Sequence, residues 1–174
     1  MISDAIKQQI EKLFSQKKYQ EVIEISDKFI NSKERPPGLS SILGTCKFLK
    51  KNGTEDDKKS GLSYFEEAYL KGGNSIHGLS GVTNYITGSI DMATKNYSFR
   101  KYVEKAEIYF YESEKYFSEN PSFLIAAKEL FKFHLNQTQK KKIIDKLIHN
   151  KHVPILEKTG SIFDKNYFYD WSQQ

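Results

Sequence analysis

The sequence predicts an all-α protein in which about four antiparallel helix pairs stack as repeats, followed by a C-terminal capping segment. Three observations support this prediction. Apolar residues recur at helical spacing along most of the chain, and turn-forming residues separate the segments that carry them. The pairs begin near residues 3, 38, 75 and 121, a regular spacing of the kind found in stacked helical repeats.

The first half of the chain predicts two helix pairs. Ser3 or Asp4 can cap the first helix, and the lysines before Tyr19 form the turn into the second. The break at residues 33–38 precedes a third helix over roughly 38–51, and a polar loop separates it from a fourth over about 57–70. The expected inward residues are Ile6, Ile10, Leu13, Phe14, Val22, Ile23, Ser26, Phe29, Ile30, Ile42, Leu43, Gly44, Cys46, Phe48, Leu49, Gly61, Leu62, Phe65, Ala68 and Tyr69.

The second half predicts two more pairs. The fifth helix, near residues 75–90, contains three glycines that lower its helix propensity but permit close packing. The seventh begins at Pro121, and the eighth covers about 138–149. Residues 1–149 therefore form the repeat domain, and residues 150–174 form an aromatic-rich cap or a junction to a following domain.

The sixth helix, residues 99–117, has the clearest pattern. Its main stripe is Phe99, Val103, Ala106, Phe110, Ser113 and Phe117, and a second stripe beside it is Tyr102, Tyr109 and Tyr116. Asn120 and Pro121 end the helix, because proline disfavours helical geometry in the preceding residue. Two adjoining buried stripes require neighbours on both sides, so this helix is predicted to lie in the middle of the stack.

Composition restricts the compartment and the partners. The net charge of +5 comes from lysine, and the scarcity of arginine argues against a nucleic-acid reader. No apolar run is long enough to span a membrane, and we expect no secretion signal from the acidic, weakly apolar first residues. The single Cys46 cannot form an internal disulfide. We therefore expect a soluble, cytoplasmic protein, and the richness in Lys, Asn, Ile, Tyr and Phe is typical of an AT-rich bacterial genome.

Several short motifs resemble the tetratricopeptide repeat (TPR). Gly61-Phe65-Ala68 and Ala106-Phe110-Ser113 match the second-helix spacing of that family, Leu43-Gly44 matches its first helix, and Tyr19 and Asn120-Pro121 match its flanking positions. The resemblance covers residues 3–149 and implies a right-handed α-solenoid. The chain departs from the family in lacking the usual first-helix tryptophan and in having longer expected loops at residues 52–59 and 87–96.

The sequence offers no convincing catalytic or metal site. His149 and His152 have a spacing that can share a metal, but no further ligand completes the site, and His149 suits a helix C-terminus. Cys46 lies in an apolar helical face, where cysteine behaves as a small hydrophobe. Gly72-Gly73 with the glycines that follow predicts a turn and close packing rather than a nucleotide site. No cofactor is implied.

Three surface features have two interpretations each. The lysines at 140–142 and 146 either bind an anionic partner or form the solvated face opposite Ile143 and Leu147. The tyrosine stripe either lines a recognition groove or packs beneath neighbouring helices. The terminal cluster around Trp171 either caps the open end of the stack or belongs to a domain junction.

The TPR resemblance implies binding in a concave groove lined by the first helix of each pair. Mapping the repeat phase places on that side the residues Thr45, Phe48, Val82, Tyr85, Lys128, Phe131 and Lys132. The two lysines would bind an acidic group of a protein or peptide partner. The alternatives are the non-catalytic N-terminal module of a larger bacterial enzyme, such as a glycosyl- or sulfotransferase, and a lysine-rich binder of nucleic acid or membrane. A homodimer formed through an exposed end of the stack is a further expectation.

Overall fold

The computed structural model describes residues 2–150 and 171–172. Within these residues the chain forms eight α-helices and no β-strand, which confirms the all-α prediction. None of the helices in this part of the chain combines the length and apolar character needed to cross a membrane. The helices are α1 (Asp4–Ser15), α2 (Tyr19–Phe29), α3 (Pro37–Leu49), α4 (Glu55–Gly72), α5 (Ile76–Lys95), α6 (Arg100–Phe117), α7 (Pro121–Phe133) and α8 (Gln137–Ile148).

The described helices divide into two compact units, and each is considered by itself. The first unit contains the chain up to Gly81 together with Trp171, and the second begins at Val82. The division therefore falls within α5. In the first unit α2 packs against both α1 and α3, and α3 packs against α4. In the second unit α7 packs against both α6 and α8.

Local sequence signals fix the helix ends in the first unit. The Ser3 side chain, one of the two caps that the sequence offered, accepts a hydrogen bond from the Ile6 amide at 3.4 Å and caps α1. Lys17 adopts a left-handed φ of 58° in the turn between α1 and α2. α3 begins at Pro37, where the missing amide proton costs nothing because that amide has no partner within the helix.

Two glycines allow α3 and α4 to cross with their backbones in close contact. A Cβ atom on Gly44 would lie 2.5 Å from Phe65 Cδ1, and one on Gly61 would lie 2.6 Å from Phe48 Cδ2. The rings of Phe48 and Phe65 stack beside the crossing, with 5.7 Å between their centroids. The motif residues of this pair therefore lie at the contact between the two helices.

The Gly72-Gly73 segment turns the chain from α4 into α5. Gly73 has a φ of +55°, which L-residues adopt only with strain. Beyond the turn, a Cβ atom on Gly81 would lie 2.8 Å from the carbonyl oxygen of Phe65, so α5 lies directly on α4 here. The predicted turn and close packing are confirmed. Ser41 and Ser80 share a buried hydrogen bond of 2.8 Å between their hydroxyl groups.

α5 ends five residues later than predicted, at Lys95, so the long loop expected at residues 87–96 was wrong. Met92 and Ala93 are buried and continue the apolar face past the expected end at Ile90. Asp91 and Lys95 form an ion pair one turn apart at 3.1 Å, which also favours a continued helix. The glycines of α5 have a low helix propensity, which is why a shorter helix was expected. Burial of its apolar face outweighs that low propensity.

The second unit is organised around the apolar stripe of α6. Val103, Ala106, Phe110, Ser113 and Phe117 are all buried, in agreement with the predicted face. The Phe110 ring stacks on Phe123 with a centroid separation of 5.2 Å and meets the edge of Phe131 at 5.0 Å. Phe99, predicted as the first residue of the helix, instead ends the short 3-10 helix Tyr97–Phe99.

α4 begins at Glu55, two residues earlier than predicted, because Thr54 and Asp57 form a capping box. Asp57 Oδ2 accepts hydrogen bonds from the Thr54 amide at 2.9 Å and the Thr54 hydroxyl at 3.1 Å. Lys50 Nζ lies 3.1 Å from Asp57 Oδ1. The polar loop is consequently shorter than the sequence suggested.

The charge on Asp57 makes the fold sensitive to acid. The hydrogen bond from the Thr54 amide, together with Lys50, lowers the pKa of Asp57 from 3.8 to about 2. Because the folded pKa lies below the unfolded value, this stabilisation is present above about pH 4 and is lost as the pH falls toward 2. We expect the free energy of unfolding of Asp57→Asn, measured by urea denaturation at several pH values, to fall less steeply between about pH 5 and pH 2 than that of the native chain. A slope equal to that of the native chain would contradict this account.

Candidate functional site

The seven residues predicted to bind a partner differ sharply in exposure. Thr45, Phe48, Val82, Tyr85 and Phe131 are buried, whereas Lys128 is part-exposed and Lys132 is exposed. The Lys132 ammonium lies 4.0 Å from the Glu129 carboxylate. Among the predicted set, therefore, the two lysines, one turn apart on α7, are the side chains that solvent reaches. The assignment of these residues to partner binding stays a prediction.

The buried members of this set are engaged with their own units. In the first unit the Thr45 hydroxyl donates to the Ser41 carbonyl at 3.1 Å, and Phe48 stacks on Phe65. In the second unit Tyr85 meets Tyr109 edge to face at 5.4 Å. These side chains supply stability in the described structure. The position of a residue within a repeat predicts the side of the helix pair on which it lies. It does not show whether a neighbouring helix covers that residue.

The tyrosine stripe of α6 is packed in its middle and open at one end. Tyr109 is buried against Tyr85, Tyr102 is half-buried, and Tyr116 is 52% exposed. Packing beneath a neighbouring helix accounts for Tyr109, and a recognition role for the stripe stays a prediction. A lysine lies over each ring, with Lys115 only 4.9 Å from the centre of Tyr116.

The candidate catalytic and metal-binding positions form no reactive site in the described residues. Cys46 is fully buried, and burial raises the pKa of its thiol, which keeps the thiol protonated and unreactive. No group of three potential metal ligands occurs in residues 2–150. His149 follows the last residue of α8, and His152 lies outside the described residues.

The lysines of α8 lie opposite its buried face. Ile143 and Leu147 are buried, while Lys141 and Lys142 are exposed. Lys146 donates to the Ser118 carbonyl at 3.4 Å, which ties α8 to the end of α6. A solvated face accounts for this arrangement, and binding of an anionic partner stays a prediction.

A partly buried ionic cluster in the first unit was missed by the sequence reasoning. The Arg35 guanidinium, 10% exposed, donates to Glu67 Oε2 at 2.9 Å and lies over the Tyr64 ring. The Ser40 hydroxyl donates to the same carboxylate oxygen, and Lys71 Nζ lies 3.4 Å from the other. Burial alone raises the pKa of Glu67, but the hydrogen bonds from Ser40 and Arg35 lower it below its usual value. The cluster ties the segment before α3 to α4.

A long-range contact within the first unit surrounds Trp171. This side chain is fully buried in an apolar cluster formed by α1, α2 and α3. Its indole Nε1 donates a hydrogen bond of 2.9 Å to Glu11 Oε1. Its backbone lies against Gly38, where a Cβ atom would be 2.8 Å from the Trp171 carbonyl carbon. We call the space bounded by Glu11, Gly38 and the apolar residues of this cluster the indole slot.

Comparison with known proteins finds no matching family model, curated protein or solved structure.

The indole slot shows where one residue of the C-terminal aromatic cluster, Trp171, is buried. The sequence indicated that the terminal aromatic residues need burial, and Trp171 is buried. Both sequence interpretations placed the cluster after the last repeat, whereas Trp171 packs in the first unit. Phe163, Tyr167, Phe168 and Tyr169 lie outside the described residues. No pattern within a single segment identifies this contact, because Glu11 and Trp171 are 160 residues apart.

Proposed function

We propose that the protein is a non-catalytic scaffold that binds a peptide or protein partner through TPR-like helix pairs arranged as a right-handed α-solenoid. The observation that carries this proposal is the indole slot. Its helices hold a side chain from a distant part of the chain by an apolar enclosure, a directed hydrogen bond and a backbone contact. Peptide-recognition sites combine these same elements.

The packing of the motif residues supports the repeat architecture. Gly61, Phe65 and Ala68 are buried in α4, and Ala106, Phe110 and Ser113 are buried in α6 at the same spacing. In each case the aromatic residue packs against a neighbouring helix of its own unit. Stacked helical pairs need such a contact in each repeat, because each repeat buries its apolar face against its neighbours.

Lys128 and Lys132 supply the charge expected of a surface that binds an acidic partner. Their positions on one face of α7 allow both ammonium groups to approach the same carboxylate-bearing segment. Neither side chain is buried. Reversing both charges should therefore weaken binding of an acidic partner without removing contacts from the core.

A displayed random-peptide library selected on the immobilised full chain tests this function. We expect selected peptides to bind saturably and to carry acidic residues, with affinity about tenfold lower for the double variant Lys128→Glu/Lys132→Glu. The matched control is Lys140→Glu/Lys141→Glu, which makes the same charge change on α8 and should change affinity by less than about threefold. Fluorescence anisotropy measures both. The absence of any saturable peptide, or equal losses in both variants, would contradict the proposal.

A further inference from the structure

We propose that the indole slot is an exchangeable site for a tryptophan-bearing peptide segment of a partner protein, with Trp171 as its resident occupant. This inference rests on the proposed scaffold function and names the chemistry of the partner. The chain itself displays that chemistry, because the segment seated in the slot is a tryptophan with its backbone against a helix.

The walls of the slot have contacts of their own that do not involve Trp171. α2 packs against both α1 and α3, and its residues Val22 and Ile23 lie in the same buried cluster as Ile10 and Leu39. α1 and α3, which contact Trp171 through Glu11 and Gly38, are therefore joined to each other through α2. Such an arrangement lets an occupant leave or be replaced while the walls remain in place.

Glu11 makes the slot selective for tryptophan among large apolar side chains. The indole N–H is a donor within an otherwise apolar ring system, and it meets the Glu11 carboxylate at 2.9 Å. A phenylalanine or leucine in the same place would cover the carboxylate without offering it a hydrogen bond, which is unfavourable. The slot thus recognises both the size of the side chain and its single donor.

Gly38 lets the slot contact the main chain of the bound segment. A Cβ atom there would lie 2.5 Å from the Trp171 carbonyl oxygen, so any larger residue would push the bound backbone away. Gly38 lies in the first turn of α3, next to Pro37. The site therefore recognises a main chain and a side chain together, as a peptide-binding site does.

Trp171 occupies the indole slot in the native chain and therefore competes with any partner peptide for it. A segment of the same chain competes at a higher effective concentration than a free peptide. A partner peptide should therefore bind the native chain more weakly than a chain whose resident indole has been removed.

The test uses the full-length Trp171→Ala variant and a synthetic nonapeptide with the sequence of residues 166–174. Because Trp171 is the single tryptophan of the chain, the peptide carries the only indole in the mixture. We expect saturable binding with a blue shift of the peptide emission, and at least about tenfold weaker binding to the native chain, measured by anisotropy of a labelled peptide. A nonapeptide with alanine in place of tryptophan should not bind.

Two further variants test the hydrogen bond within the Trp171→Ala chain. Glu11→Leu removes the acceptor and should weaken peptide binding by about tenfold, whereas Glu11→Gln retains an acceptor oxygen and should weaken it by less than about threefold. Glu11 is only partly buried, so both changes are compatible with folding. Equal effects of the two substitutions would overturn the role assigned to Glu11.

The remaining outcomes also decide the question. If Trp171→Ala loses its helical circular dichroism, Trp171→Phe replaces it as the test variant. The peptide should still displace the phenylalanine, which lacks the hydrogen-bond donor.

Failure of the peptide to bind a folded variant, or binding without dependence on its tryptophan, would overturn the inference. A native dimer that dissociates on Trp171→Ala would identify a second copy as the occupant and also overturn it. Peptides selected on the native chain that depend on Lys128 and Lys132 alone would leave the scaffold function standing without this site.

Discussion

Gly44→Val lowers the free energy of unfolding by about 3 kcal/mol in our account, the upper range for overpacking of a close contact. A single Cβ atom at this position would already meet Phe65 at 2.5 Å and the Gly61 carbonyl oxygen at 3.0 Å. Phe65 is fully buried and stacked on Phe48, so its ring has no free space into which it can move. The added methyl groups must therefore separate α3 from α4.

Urea denaturation followed by circular dichroism measures this loss. The matched control is Gly53→Ala, in the exposed turn after α3, where the nearest atom to an added Cβ is 3.3 Å away. We expect that change to stay within about 0.5 kcal/mol of the native value. A Gly44→Val chain as stable as the control would show that α3 and α4 do not cross at this glycine pair.

Phe110→Ala lowers the free energy of unfolding by about 3 to 5 kcal/mol, the range for removing a fully buried aromatic side chain. The Phe110 ring stacks on Phe123 and contacts the edge of Phe131, both on α7. Its removal leaves a cavity at the seam between α6 and α7, and both neighbouring rings lose one of their aromatic contacts.

Ile108→Ala is the matched control on the same helix. Ile108 is 60% exposed, so its truncation should cost less than about 1 kcal/mol. Both variants are measured by the same urea denaturation. Equal costs for the two substitutions would contradict the assignment of Phe110 to the core of the second unit.

Periodicity within one helix predicted much of the buried face of each helix, but it was wrong for Phe29 and Leu49, which are 54% and 41% exposed. The face of α6 could be predicted because its residues recur every three or four positions, and burial follows that spacing. Pro121 and Asn120 likewise marked the start of α7, where Asn120 Oδ1 accepts from the Phe123 amide at 3.1 Å. Such signals are local, so a single sequence contains them.

Features that depend on distant contacts could not be predicted. The end of α5 was misplaced because its low intrinsic propensity is offset by burial of Met92 and Ala93. The burial of Thr45 depends on how neighbouring helices cover α3, which periodicity does not report. The contact of Trp171 with Glu11 joins the two ends of the chain, and nothing near either residue signals the other.

Solvent access to the Trp171 indole tests most directly the central claim, that the helices of the first unit hold a peptide segment. The measurement is acrylamide quenching of the single tryptophan in the native chain, with the free nonapeptide of residues 166–174 as the exposed reference. We predict blue-shifted emission and much weaker quenching than in the peptide, because the side chain is fully buried. Emission and quenching equal to those of the free peptide would contradict the account.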